Sequence, residues 1–199
     1  GGGYLEDPCP SLEGMGEVRR RLLAKGIDTP LASNVAVTSF AAVPEAKALD
    51  AVQIVLSDPH YWGGMRQVQY LSHLCGVLGM GLSMHSNSHL GLRLLAMAHV
   101  AASVPLLSYA CDTHYPWLDP DEEVIVGGQL RFQDGAIVPG GAPGLGVEID
   151  QDALARLHRQ YLECGIRSRN DAAQMRKYQP GWTGEAPRFY HCHCSRCRK

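Results

Sequence analysis

No apolar run in this chain approaches the roughly 20 residues that a membrane-spanning helix requires, so a bilayer-embedded role is not expected. No basic cluster precedes the last residues, and with a net charge of −2 the chain has no electrostatic footprint for nucleic acid. No cysteine framework is present either. Of seven cysteines, Cys9, Cys75, Cys111 and Cys164 stand singly, as reduced thiols among apolar neighbours do, and the other three crowd the tail. The opening Gly1-Gly2-Gly3-Tyr4 lacks an initiator methionine and a basic-then-apolar leader. We read this as no sign of secretion, a cytoplasmic setting, and a true N-terminus lying upstream.

What is present is an ordinary globular composition, 45% hydrophobic and 19% charged over 199 residues, enough to bury a substantial core. Within it a rhythm recurs. A polar residue closes each of five short apolar runs: Glu6 after Tyr4-Leu5, Asn34 after Pro30-Leu31-Ala32-Ser33, Asp58 after Val52 to Ser57, His85 after the run 79–84, and Asp112 after the run 106–111. The intervals are 28, 24, 27 and 27 residues, close to the roughly 30 of one strand-helix unit in a parallel α/β barrel. In such a barrel the C-terminal strand ends line one mouth, where the chemistry resides.

Helical patterns fill the intervals. Met15, Val18, Leu22 and Leu23 recur at helical spacing, as do Met65, Val68, Leu71, Cys75 and Leu78. Pro44 stands near the first turn of a short helix running toward Leu49, and Gly76 and Gly79 mark the exit of the next. Alternation of this kind implies a parallel sheet with right-handed crossovers. We therefore expect barrel strands and helices over 1–118, numbered as strands four to eight. A C-terminal excursion over 119–183 belongs to the same domain. It carries short strands at Glu123-Val124-Ile125-Val126, Leu130-Arg131-Phe132 and Ala136-Ile137-Val138, a tight hairpin at Asp134-Gly135, and a helix from Asp152 to Cys164 with Leu154, Leu157, Tyr161 and Leu162 as its apolar face. A Cys/His-rich basic tail over 184–199 is expected to be disordered. Its His191-Cys192-His193-Cys194 run has zinc-ligand types at a spacing too compressed for a tetrahedral site from one loop. Five units cannot close an eight-stranded barrel, so about three strands are expected upstream.

Convergence at one mouth would bring Glu6 and Asn34 together with Asp58 and His85. Oxygen donors from adjacent strands suit a hard cation such as Mg²⁺. Asp58 and His85 on neighbouring strands suit an acid/base dyad, the carboxylate fixing the tautomer of the imidazole and raising its basicity.

The motifs that carry this pattern are Tyr4-Leu5-Glu6-Asp7-Pro8-Cys9, Ala32-Ser33-Asn34, Ser57-Asp58-Pro59-His60-Tyr61-Trp62, Met84-His85-Ser86-Asn87-Ser88-His89, Cys111-Asp112-Thr113-His114-Tyr115-Pro116-Trp117, Pro143-Gly144-Leu145-Gly146-Val147-Glu148-Ile149-Asp150 and Pro180-Gly181-Trp182-Thr183. In that order, over nearly everything from Gly3 to Thr183, the chain resembles the C-terminal half of the glucarate dehydratases of the enolase superfamily. The resemblance implies an α/β fold, the incomplete C-terminal part of a modified (β/α)7β barrel. It also implies a Mg²⁺-dependent β-elimination of water from D-glucarate or a related hexarate, giving a keto-deoxy acid. His85 matches the family's histidine base and Asp58 its dyad partner. Asn34 matches a metal ligand that also contacts substrate, and Glu6 the preceding ligand. Glu13 stays open for that place, because the loop after Pro8 differs in length from the family's. Ser86, Asn87 and His114 match substrate-binding positions, and Arg169 matches the cation that holds a distal carboxylate, a task suited to bidentate guanidinium geometry. The family's other metal ligand, an aspartate, and its second base, a lysine, lie on strands this chain does not contain. The partners implied are a small acid sugar, no nucleic acid and no membrane, with homo-oligomerisation of a full-length form left open. The alternatives are an inactive truncated product or paralogue, and a dehydratase or epimerase of different specificity.

Each assignment competes with a plainer role. A lone histidine after an apolar run is usually structural, and His85 is set apart by its context and its interval from Asp58. Asp58 before Pro59 also starts turns, and Asn34 also caps helices. His60, His89 and Asp112 are as well explained by packing or support of the site, while His73 and His99 fall within helices.

Overall fold

The computed structural model of the chain describes residues 3–86 and 90–165. Strands and helices alternate: β1 (Leu5–Glu6), α1 (Leu12–Ala24), β2 (Leu31–Ser33), α2 (Ala42–Ala48), β3 (Ile54–Ser57), α3 (Met65–Leu78), β4 (Gly81–Ser86), α4 (Gly91–Ser103), β5 (Asp112–Thr113) and, after an irregular stretch, α5 (Gln151–Cys164). The sheet has five strands in sequence order, β1-β2-β3-β4-β5, with β1 to β4 paired in parallel. This is the strand-helix alternation expected, and it gives the incomplete parallel barrel sheet implied by five units. Among the described residues no helix is long and apolar enough to cross a membrane. Two compact units can be distinguished, one of Gly1–His85 with His99–Asp112 and one of Ser86–Ala98 with Thr113–Lys199.

In the first unit every residue of β2 and β3 is buried, as strands covered on both faces require. Ala32, Ile54 and Leu56 form a core cluster, against which Tyr4 and Tyr109 pack with their own rings edge to face at 5.3 Å. Local chemistry sets the helix boundaries. The Ser11 hydroxyl accepts the Gly14 amide at 3.1 Å and starts α1. Gly79, at φ 63°, ends α3 in the left-handed conformation a C-terminal cap requires. Met15, Val68, Leu71 and Cys75 supply the buried stripes, and Pro44 sits in the first turn of α2. Cys9, Cys75, Cys111 and Cys164 are all free thiols. Burial pushes Cys75 up to about 11, so it is an inert core group. Cys164 differs from expectation, being exposed on α5.

The second unit corrects the expectation of three short strands. Among the described residues the stretch after β5 has only two isolated bridges, Ile125 with Ile149 and Gln133 with Ala136. Gly127 and Gly128, both at positive φ, turn the chain straight after Val126. The partner of 124–126 is the distant 148–150 segment, through Val126 N–H to Glu148 C=O at 3.0 Å and Asp150 N–H to Val124 C=O at 2.9 Å. No ladder can extend across so short a register. The tight turn itself is as expected: Gln133 and Ala136 exchange both backbone hydrogen bonds at 2.8 Å around Asp134 (φ 50°) and Gly135 (φ 77°). The terminal helix is present, capped by the Asp150 carboxylate accepting from Asp152 and Ala153. Its expected apolar face is not covered among the described residues, since Leu154, Tyr161 and Leu162 are exposed. The expected tail over 184–199 lies outside the described residues.

Leu56 is central to the core cluster and 1% exposed. Replacing it with alanine should cost about 2–5 kcal/mol in urea unfolding; a loss below about 1 kcal/mol would mean that the cluster is not a tightly packed core.

Candidate functional site

Parallel register decides which side chains meet. Ser57 pairs with Met84, so Asp58 and His85 follow at the same level. Glu6 pairs with Ala32, so Asp7 follows at the level of Ser33. Both steps bring polar groups to the C-terminal edge of the sheet.

His85 is buried at the end of β4, and its Nδ1 lies 2.6 Å from Asp112 Oδ2. Asp112 begins β5, so the sheet order brings it beside β4. A carboxylate on Nδ1 holds the proton there and leaves Nε2 as the basic nitrogen. Asp112 thus occupies Nδ1, while Asp58, the dyad partner that the sequence pattern suggested, stays at the level of His85 on the neighbouring strand. Asp58 is 1% exposed at the neighbouring level. Its Oδ1 accepts the His60 amide at 2.8 Å, and its carbonyl accepts the amides of Tyr61 and Trp62, so it starts a turn as well as lining the strand end. The other Asp112 oxygen, Oδ1, is buried and accepts no hydrogen bond among the described residues. A buried acceptor left in that state costs about 1–3 kcal/mol, a cost that a bound donor or cation would remove.

Glu6 and Asp7 add two carboxyl groups. Partial loss of solvent raises the Glu6 carboxyl above its ordinary value, and the charges of Asp112 and Asp7 push in the same direction against the opposing pull of His85. Burial likewise raises Asp7, partly offset by hydrogen bonds from Ser33 Oγ (2.5 Å) and the Asn34 amide (3.1 Å). Asn34 is thereby held at the end of β2. Glu13, the other candidate for the carboxylate ligand, is a fully exposed first-turn residue of α1, its carboxyl lowered by hydrogen bonds from its own backbone amide and from Ser11.

Ser86 and His114 belong to the second unit, where the His114 amide donates to the Ser86 carbonyl at 3.1 Å. Ser86 is buried, and the His114 ring lies 5.2 Å from that of Trp117. Asn87 and Arg169, also expected at the site, lie outside the described residues, as do His89 and the Pro180–Thr183 motif. His60 donates its amide to Asp58 and packs edge to face on Tyr61.

Asp7 was not expected at the site. The signal lay in Asp7-Pro8, which repeats the Asp58-Pro59 pair at another strand end, and in a conformation legible only in the structure: Asp7 has φ 40°, an uncommon value outside glycine that tends to gather at functional positions.

Carboxylates and an amide suit a hard divalent cation, and the mutual repulsion of Glu6, Asp7 and Asp112, with the unsatisfied Asp112 Oδ1, marks a place where positive charge would be stabilising. Among the described residues, though, no group of three or more His, Cys, Asp or Glu is placed to hold a metal by itself. The residues present fit part of a cation site.

Comparison with known proteins identifies the family. Residues 2–153 match the model of the enolase C-terminal domain-like family. A probable glucarate dehydratase of Streptomyces coelicolor is 48% identical over 189 residues, 94% of this chain and 42% of that protein. A solved enolase structure from Pseudomonas fluorescens, with bound magnesium, potassium and tartrate, is 56% identical with a TM-score of 0.84, over 94% of this chain and 42% of that one. Another, from Gibberella zeae, complexed with magnesium, formate and sulfate, is 47% identical with a TM-score of 0.82 and the same coverage. The chain thus spans less than half the length of these relatives.

Because folding raises the Glu6 carboxyl, its contribution to stability is present below the ordinary glutamate value of 4.5 and is lost as pH rises through the raised one. Glu6→Gln should therefore melt at a higher temperature than the parent at neutral pH, and the gain should vanish once the parent carboxyl is protonated. A gain that persists in acid would show that charge is not its cause.

Proposed function

The chain belongs to the enolase C-terminal domain-like family, and on that premise we propose that it forms the C-terminal part of a Mg²⁺-dependent acid-sugar dehydratase acting on D-glucarate or a related hexarate. The observation that carries this reading is the imidazole of His85, buried at a strand end, with Asp112 on Nδ1.

His85 is the base. With Asp112 fixing the Nδ1–H tautomer, Nε2 accepts the proton alpha to the substrate carboxylate, and the imidazolium so formed is stabilised by the same carboxylate. An alpha proton next to a carboxylate is too weakly acidic at neutral pH to leave without stabilisation of the charge that develops. Mg²⁺, when bound, supplies that stabilisation by drawing charge onto the substrate carboxylate oxygens. Glu6 and Asn34 are the proposed ligands, with Glu13 the alternative to Glu6, and donors from outside the described residues complete the set. Asp58, buried at the level of His85 on the neighbouring strand, is the proposed dyad partner of the base alongside Asp112. Ser86 and His114 contact the substrate, with Asn87 and Arg169 proposed for the hydroxyl and the distal carboxylate. The beta hydroxyl, protonated by the imidazolium, then leaves as water, and the resulting enol relaxes to the keto acid. Support for the substrate class comes from the probable glucarate dehydratase and from the tartrate and formate found in the solved relatives. The setting proposed is cytoplasmic, in acid-sugar catabolism, with no nucleic-acid or membrane partner.

The test is keto-acid formation by the full gene product with Mg²⁺ and D-glucarate. Turnover is expected, and His85→Gln should reduce kcat by about 10²- to 10⁴-fold. Absence of turnover in the parent across a panel of hexarates and aldonates would overturn the substrate class, and an unimpaired His85→Gln would overturn the role of the base. Omitting Mg²⁺ should abolish turnover, with recovery on readdition; turnover unchanged in chelator contradicts the cofactor.

A further inference from the structure

A buried carboxylate in the second unit has no place in the chemistry above. Glu123 is 4% exposed and Tyr115 1%. The Glu123 carboxylate accepts a short hydrogen bond from the Tyr115 hydroxyl, others from the Gly91 amide (3.0 Å to Oε2 and 3.3 Å to Oε1), and one from its neighbour Val124 N–H at 2.7 Å. Tyr115 Oη in turn accepts the Leu130 amide at 2.9 Å. Each of these partners is a neutral dipole. The charge sits at the N-terminus of α4, where unsatisfied amides and the helix dipole favour an anion.

The cluster is close-packed around a glycine. A Cβ on Gly91 would lie 2.5 Å from Ile125 Cδ1, 2.8 Å from Glu123 Oε2 and 3.0 Å from Tyr115 Oη, so no side chain fits. Burial and the Glu123 hydrogen bond push the Tyr115 phenol well above its ordinary range, so it stays protonated and acts as a fixed donor.

Tyr115 directly follows His114, and the short 3₁₀ turn Tyr115–Trp117 begins there. The Gln129 side-chain amide donates to the carbonyls of Tyr115 (3.4 Å) and Leu118 (3.2 Å), and the His114 amide is tied to Ser86. The turn is thus held by its backbone through Gln129 and by its side chain through Glu123. A buried carboxylate is costly unless its hydrogen bonds are complete. Here they converge from α4, from the turn after β5 and from the 124–130 segment, so Glu123 can keep its full set only when all three are in register.

We propose that Glu123 is a positioning residue, whose buried carboxylate, acting through Tyr115 and the Gly91 amide, fixes the turn that presents His114 to the substrate. The inference rests on the substrate-binding role proposed for His114, so it predicts a split effect. Glu123→Gln introduces an amide NH2 facing a ring of donors, and Tyr115→Phe removes the linking hydroxyl while keeping the ring. Each should raise KM for the acid sugar by about tenfold while kcat stays within about twofold, because binding is misplaced while the base is untouched.

A purely structural residue would instead lower the folded fraction, reducing apparent kcat with KM unchanged and lowering Tm. That result overturns the proposal, as does an unaltered KM. The His114 ring resonances, followed by NMR in full-length Glu123→Gln, give a readout independent of turnover. They should move at a temperature well below Tm, where the protein is fully folded, and resonances that stay in place also overturn the proposal. If the parent does not turn over any acid sugar, the functional reading fails while the His114 resonances still decide the positioning role.

Discussion

Everything at this site depends on the register of a parallel ladder. Four consecutive pairs, Ile54 with Gly81 through Ser57 with Met84, lock β3 against β4, and a slip of one residue would turn every side chain of a strand to the opposite face of the sheet. Both strands are buried almost throughout, so an incorrect register would place Asp58 or His85 among aliphatic groups without partners. Hydrophobic burial therefore sets the position of the chemistry. The core residues Ala32, Ile54 and Leu56 anchor the sheet, and Glu6, Asn34, Asp58 and His85 lie at or just beyond the C-terminal ends of β1 to β4.

The collection is electrostatically unbalanced. Glu6, Asp7 and Asp112 crowd one imidazole; burial raises both Glu6 and Asp7, and repulsion from Asp112 and Asp7 adds to the rise of Glu6. Raised carboxyls of this kind cluster at functional sites, though structural ion-pair networks produce them too. The surroundings of the two histidines differ. His85 has a carboxylate on Nδ1, whereas the His114 amide is tied to the Ser86 carbonyl and its residue begins the Tyr115–Trp117 turn. In the second unit a different carboxylate, Glu123, is stabilised by dipoles alone at a helix N-terminus.

Much of this was legible in the sequence because it depends on local pattern. Apolar runs closed by Glu6, Asn34, Asp58 and His85 marked four of the strands, whereas the run 106–111 expected to end at Asp112 is not a strand and β5 begins at Asp112 instead; helical spacing marked α1 and α3. Asp134-Gly135 announced its turn. What failed depends on tertiary partners. The segments near 124 and 137 have the composition of strands, yet Gly127-Gly128 and the distant pairing with 148–150 leave them as single bridges. Asp112 resembled one more polar strand end, and only the adjacency of β4 and β5 shows it on Nδ1 of His85. Asp7 needed a left-handed backbone that the sequence does not encode outside glycine. Glu123 has no local signal, since apart from its neighbour Val124 its partners Gly91 and Tyr115 come from 32 and 8 residues away.

The central claim is that Asp112 holds the proton on Nδ1 of His85 and so makes Nε2 the base. The most direct measurement is the tautomer of His85 by ¹⁵N NMR in the full-length, Mg²⁺-loaded protein above the imidazole titration. A protonated, hydrogen-bonded Nδ1 and an unprotonated Nε2, with the preference lost in Asp112→Asn, is the predicted result. A proton resident on Nε2, or a tautomer indifferent to Asp112, would contradict it.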